Sequence, residues 1–186
     1  MTTLLKPLSW ILGLLPRGLL FSASNALGDF AFYVVRFRRT QVLNNLKLAL
    51  GSSKSDTELQ IIARENYRHY GRILVQILLS LTWSDKDYRK WTRVEGGAEL
   101  DTLIAEKNGG FLLTSHLGNW ELAIQVASRY GLPVDVVVKR PRTPAAEKFL
   151  QWYRTRYGGG VLYEEGTARD ILRSINSGRF AVFVLD

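Results

Sequence analysis

Cysteine is absent from the sequence, and histidine occurs only twice, at His69 and His116. Without thiols there is no disulfide, no cysteine nucleophile and no thiolate metal site. Two histidines so far apart in sequence leave no metal-ligand cluster in view, so neither a metal nor an organic cofactor is expected. A Gly-x-Ser-x-Gly run is also missing, which removes the usual turn for an acyl-enzyme on serine. The glycines at 158–160 are not followed by Lys-Ser/Thr, which disfavours a nucleotide P-loop. No recognised nucleic-acid motif occurs, and no nucleic-acid partner is expected. Long hydrophobic runs are scarce too. Within the apolar stretch 4–35 the longest charge-free run is Gly18–Gly28, eleven residues, short of the roughly 18–20 that mark an unambiguous spanning helix. No small-residue cleavage site follows a short apolar core, which argues against a removable secretory signal.

What is present describes a folded chain. Hydrophobic residues make up 46% of the 186 and charged residues 23%, which fits one medium domain with a helical extension. The net charge of +8 is uneven: residues 1–95 hold 14 Lys/Arg against 7 Asp/Glu, residues 96–186 hold 11 against 10. A basic half of this kind suits an anionic partner such as a lipid surface or an acidic carrier protein.

Three segments are expected. Residues 1–36 read as a membrane anchor or interfacial helices, about 4–15 and 18–36, divided at Pro16-Arg17-Gly18. The basic flank Arg36, Arg38, Arg39 favours a cytoplasmic location for the residues beyond it. Residues 37–95 read as a basic helical segment. Its first helix, 39–50, ends at Gly51, and a longer one runs to about Leu81 behind the capping box Ser55-x-x-Glu58. Arg64, Arg68 and Arg72 recur every four residues along it, a spacing that most often marks a solvated face. His69 reads as a surface or packing residue. Asp85–Trp91 suits a short helix and Thr92–Glu95 a short strand.

Residues 96–186, beginning at Gly96-Gly97, read as α/β with a mostly parallel sheet. Strands are expected at Phe111–Leu113, 134–138, Val161-Leu162 and Phe180–Leu185. Helices are expected at Glu99–Lys107, after Gly118, from Pro144 to about Tyr157, and ending near Gly178. The run at 134–138 looks continuously apolar, as in a strand covered on both faces.

Within this part, Gly109-Gly-Phe-Leu-Leu-Thr-Ser-His-Leu-Gly-Asn-Trp-Glu-Leu122 carries the chemistry. His116 falls at a strand's carboxyl end, where open α/β sheets place their sites. On one continuous helix His116 and Glu121 would point some 140° apart. With a turn at Gly118 they can meet, the carboxylate orienting the imidazole and the other ring nitrogen acting as general base.

His116-Leu-Gly-Asn-Trp-Glu121 resembles the His-x4-Asp/Glu motif of the glycerolipid acyltransferase superfamily. The fuller wording resembles one branch, the late acyltransferases of lipid A biosynthesis, which include lauroyl and myristoyl transferases. The resemblance implies transfer of a fatty acyl chain to a hydroxyl of a lipid A precursor or related bacterial glycolipid. The donor would be an acyl carrier protein thioester or acyl-CoA. The place of action would be the bacterial inner membrane, with the catalytic part on the cytoplasmic side. His116 and Glu121 would be catalytic; Arg156, Lys139, Arg140, Asn119 and Asp186 would bind substrate, with Arg142 beside the two basic loop residues. Members of that family continue past an aspartate matching Asp186, so the chain is expected to be an amino-terminal portion. Two other readings are a non-catalytic basic membrane-surface module and a lipid hydrolase of the same fold.

Overall fold

Ser55 opens the longest helix of the protein. Its side chain accepts from the Glu58 backbone N–H while the Glu58 carboxylate accepts from the Ser55 backbone, a reciprocal capping box that satisfies two otherwise orphaned donors. The computed structural model describes residues 2–185, and the chain divides into a helical unit, Leu4–Thr82, and an α/β unit from Trp83 onward.

The helical unit holds four helices: α1 (Thr2–Gly13), α2 (Arg17–Phe30), α3 (Arg39–Leu50) and α4 (Asp56–Ser80). Pro16 separates the first two, as its fixed φ suits the start of a helix better than its interior. A single π turn, Ala31–Val35, extends α2. The chain then reverses through Arg36 and Arg38, both in the left-handed region at φ 54° and 53°.

Helix α2 lies along α4 in antiparallel order. Asp29 accepts from Arg64 and Arg68, each through two guanidinium nitrogens at 2.7–2.8 Å, and Asn25 accepts from Arg72 at 2.8 Å. The arginine repeat is therefore not a solvated face: it is the polar seam between two helices. The helix spacing of four that the sequence displays cannot distinguish the two, because the acceptors lie some 35 to 47 residues away.

In the α/β unit a capping box at Ser84 starts α5 (Asp85–Trp91). Thr92–Glu95 runs on without joining a strand. Thr92 has extended dihedral angles, but an isolated extended segment gains no ladder hydrogen bonds, so the short strand expected there does not form. Helix α6 (Gly97–Glu106) follows. Then β1 (Gly110–Ser115), α7 (Trp120–Tyr130), β2 (Val134–Val138), α8 (Pro144–Thr155), β3 (Gly160–Tyr163), α9 (Thr167–Asn176) and β4 (Phe180–Leu185) complete the alternation.

The sheet is wholly parallel in the order β1-β4-β2-β3. Its core cluster joins Ile124 of α7 to Leu132, Val134 and Val136, and to Phe180 and Val182 of β4. Asp135, inside the run that reads as continuously apolar, points the other way. It accepts from Ser174 Oγ on α9 at 2.6 Å and from Arg179 Nε at 2.8 Å. Burial opposes its ionisation, but those two donors outweigh burial and hold the carboxyl below its ordinary value.

Candidate active site

Because all four strands run the same way, their carboxyl ends share one edge of the sheet. His116 follows β1 directly: its backbone N–H donates to the Leu185 carbonyl at 3.3 Å, prolonging the ladder with β4 by one step. Gly118 then turns the chain with φ +61°, a conformation that glycine adopts without steric cost. Asn119 caps α7, its Oδ1 accepting from the Leu122 N–H at 3.1 Å. Helix α7 starts at Trp120, so Glu121 falls in its first turn, where the helix dipole favours a carboxylate.

His116 and Glu121 line one cavity of about 610 Å³ at the sheet's carboxyl edge. Lys139, Arg154 and Glu164 also face it, and Val136–Val138 with Phe183 and Val184 give it an apolar wall. His116 is exposed, and its ring meets Trp120 edge to face, with centroids 4.7 Å apart at 80°. Glu121 is buried, and both its oxygens are engaged by Arg154: Nε donates to Oε2 at 2.9 Å, and Nη2 donates to Oε1. With the side chains of Arg154 and Glu121 only 10% and 7% exposed, this is a desolvated, two-pronged ion pair, the strongest geometry such a pair adopts.

The other sequence-derived residues separate into those at the cavity and those away from it. Lys139 lines it, and its Nζ lies 3.3 Å from Glu164 Oε1. Arg140 is drawn into the loop around it, paired with Glu147 and set over the Tyr163 ring at 3.8 Å. Asn119 borders a neighbouring cavity with Leu112, Leu122 and Ala123. Asp186 lies outside the described residues. Arg156 stands apart from the cavity's walls, within an aromatic surround. Its Nη2 donates to Tyr88 Oη at 3.0 Å and to Gln125 Oε1 at 2.8 Å, with Tyr153 and Tyr157 rings 4.9 and 4.6 Å from its guanidinium carbon. Burial pushes the Tyr88 phenol above its ordinary value, so it stays protonated and donates to Gln125 Oε1 at 2.6 Å.

Arg154, which lines the cavity, and Gln125, one turn beyond Glu121 on α7, are not singled out by the sequence. Glu121 and Gln125 are one helical turn apart on α7, both buried, and both reach α8: Glu121 to Arg154, Gln125 Nε2 to the Tyr153 carbonyl at 2.9 Å. Two polar residues four apart beside the apolar Trp120, Ile124 and Ala127 are the only trace of this seam in the sequence.

The family model for bacterial lipid A biosynthesis acyltransferases matches residues 3–186. The chain belongs to that family. Two curated relatives of this acyltransferase-family chain are the lipid A biosynthesis palmitoleoyltransferase of Escherichia coli (strain K12) and the lipid A biosynthesis acyltransferase of Shigella flexneri. Each is 26% identical over 147 residues, which is 79% of this chain and 46% of the relative. The chain thus matches about half the length of those relatives.

Proposed function

We propose that the protein moves a fatty acyl chain from a thioester to a hydroxyl of a lipid A precursor or related anionic glycolipid, with His116 as general base. The observation that carries this reading is the meeting of His116 and Glu121 on one cavity at the carboxyl edge of a parallel sheet, in a chain of the lipid A acyltransferase family. An acyl carrier protein or acyl-CoA is the donor. The acyl groups to try first include palmitoleoyl, the chain named for the Escherichia coli relative.

In this mechanism His116 takes the proton of the acceptor hydroxyl as its oxygen attacks the thioester carbonyl carbon. The C–S bond breaks as the tetrahedral centre collapses, and the proton held by His116 passes to the departing thiolate. Glu121 orients the imidazole and supports its charge, while Arg154 fixes Glu121 in place. Lys139, Arg140 and Arg156 are the cations assigned to anionic parts of the substrates, with Asn119 and Asp186 completing the binding set. Residues 1–36 attach the protein to the inner membrane, residues 37–95 form the basic helical segment, and residues 96–186 carry the chemistry on the cytoplasmic side.

Mass-spectrometric detection of acyl transfer to a lipid A precursor, with several thioester chain lengths, tests the reading. His116→Ala is expected to cost on the order of 10² to 10⁴ in turnover. Glu121→Ala is expected to be severe as well, and the double variant scarcely worse than His116→Ala, because an orienting group has no work once its base is gone. Full activity in a folded His116→Ala variant would sink the mechanism. Release of free fatty acid without transfer would make the protein a hydrolase.

A further inference from the structure

Residues Arg17–Val35 are the one stretch, among the described residues, long and apolar enough to cross a membrane. Their packing says otherwise. Along this stretch one side faces α4 throughout. The contacts run in antiparallel order, from Phe21 against Arg72, through Asp29 on Arg64 and Arg68, to Phe32 against Tyr67. The backbones touch at two glycines. A Cβ on Gly28 would stand 2.4 Å from Arg68 Cα, and one on Gly71 would stand 2.3 Å from the Ser24 carbonyl oxygen.

The companion helix cannot enter hydrocarbon. Helix α4 carries Asp56, Glu58, Arg64, Glu65, Arg68 and Arg72, and a charge at the bilayer centre costs at least about 2.5 kcal/mol each on the mildest scale. A spanning α2 would have to drag this seam into the membrane or abandon it. The opposite side of α2 is different. Leu19, Leu27, Phe30 and Val34 are exposed there at helical spacing, and α1 carries exposed Trp10 and Ile11.

Cations frame this apolar face. Arg17 precedes it, and Arg36 and Arg38 come after it, all exposed. Arg36 and Arg38 hold left-handed backbone angles that cost a residue with a Cβ roughly 1–2 kcal/mol and glycine nothing. Arg36 Nε donates to the Tyr33 carbonyl at 3.0 Å and Arg38 lies over the Phe37 ring at 5.4 Å, so both guanidinium groups are held at this exposed turn.

We infer that α1, α2 and the Arg36–Arg38 turn form an in-plane membrane-docking surface. It sinks its apolar face into the upper part of one anionic leaflet and sets its arginines among the lipid phosphates, without crossing. The inference rests on the membrane attachment proposed above and specifies its mode. Partly buried apolar helices with a basic rim bind bilayers in this way.

The chain has no cysteine, so single cysteines can be placed cleanly in the full chain at Leu19, Leu27 and Val34 and labelled with an environment-sensitive fluorophore. Vesicles of phosphatidylethanolamine and phosphatidylglycerol in equal parts, carrying quenchers at defined depths, then read the geometry. All three labels are expected at one shallow depth. A profile with the Leu27 label near the bilayer midplane and the other two shallow would mean a spanning helix and would overturn the inference while leaving attachment intact. Failure of the chain to float with the vesicles would overturn attachment itself. A blue shift that grows with protein concentration in the absence of lipid would put a second copy on this face instead. Arg36→Gly and Arg38→Gly relieve strain, so the fold should survive; each is expected to weaken binding to these vesicles about fivefold. Undiminished binding in the double variant would remove the headgroup role.

Discussion

At the scale of single residues, the Glu121–Arg154 pair decides most. Both groups have left water, so each depends on the other for compensation. Removing one partner of a buried pair leaves an unmatched charge and typically costs about 3–5 kcal/mol. Arg154→Ala is therefore expected to lower stability by several kcal/mol, read as a fall in the midpoint of chemical denaturation followed by circular dichroism. Replacing both members together, Glu121→Gln with Arg154→Met, should cost much less, since no charge is then left behind. Arg154→Lys should fall between, because one ammonium cannot reproduce a guanidinium fork that reaches both oxygens. Equal losses for the single and double changes would show that the pair does not act as a unit. Activity is expected to fall in all of these variants, as both residues line the cavity with His116.

At the scale of elements, the contact of α2 with α4 is set by what is missing from two side chains. Ser24 and Gly28 on one helix, and Gly71 on the other, are buried at the contact. Gly28→Ala puts a methyl group against backbone atoms of Arg68 that cannot rotate away. The helices must part, at a cost of about 1–3 kcal/mol or more. Gly18→Ala, in the same helix, meets nothing within 4 Å and should stabilise by about 0.4–1 kcal/mol by narrowing the unfolded ensemble. Thermal melts of the two variants should therefore move in opposite directions. A matching downward shift for Gly18→Ala would show that position to be packed.

At the scale of the whole molecule, each unit is fastened by an aspartate whose carboxyl is held below its ordinary value. For Asp29 the cause is hydrogen bonding from Arg64 and Arg68. For Asp135 it is the donors Arg179 and Ser174, working against burial. A depressed folded-state value gives stability that is present above the unfolded value, about 4 for aspartate, and is lost as the pH falls below it, because protonation then favours the unfolded chain. Both units are thus expected to weaken in acid rather than in base. Denaturation midpoints between pH 7 and pH 3 check this, with Asp29→Asn and Asp135→Asn each flattening the acid slope. Unchanged slopes in both variants would place the acid sensitivity elsewhere.

The elements and the motif are legible in the chain before it folds. The capping box at Ser55, the breaks at Pro16 and Gly118, and the alternation of apolar runs with helical periods are local signals, written in residues a few positions apart. So is His116-Leu-Gly-Asn-Trp-Glu121, which fixed the family resemblance. The partners emerge only on packing: Arg154 for Glu121, Arg64 and Arg68 for Asp29, Ser174 and Arg179 for Asp135. Each joins residues 33 to 44 positions apart. Over such distances a charge in the sequence looks the same whether it will face water or an opposite charge in the interior. Helix spacing places a side chain on a face, but what meets that face is settled only when the elements pack.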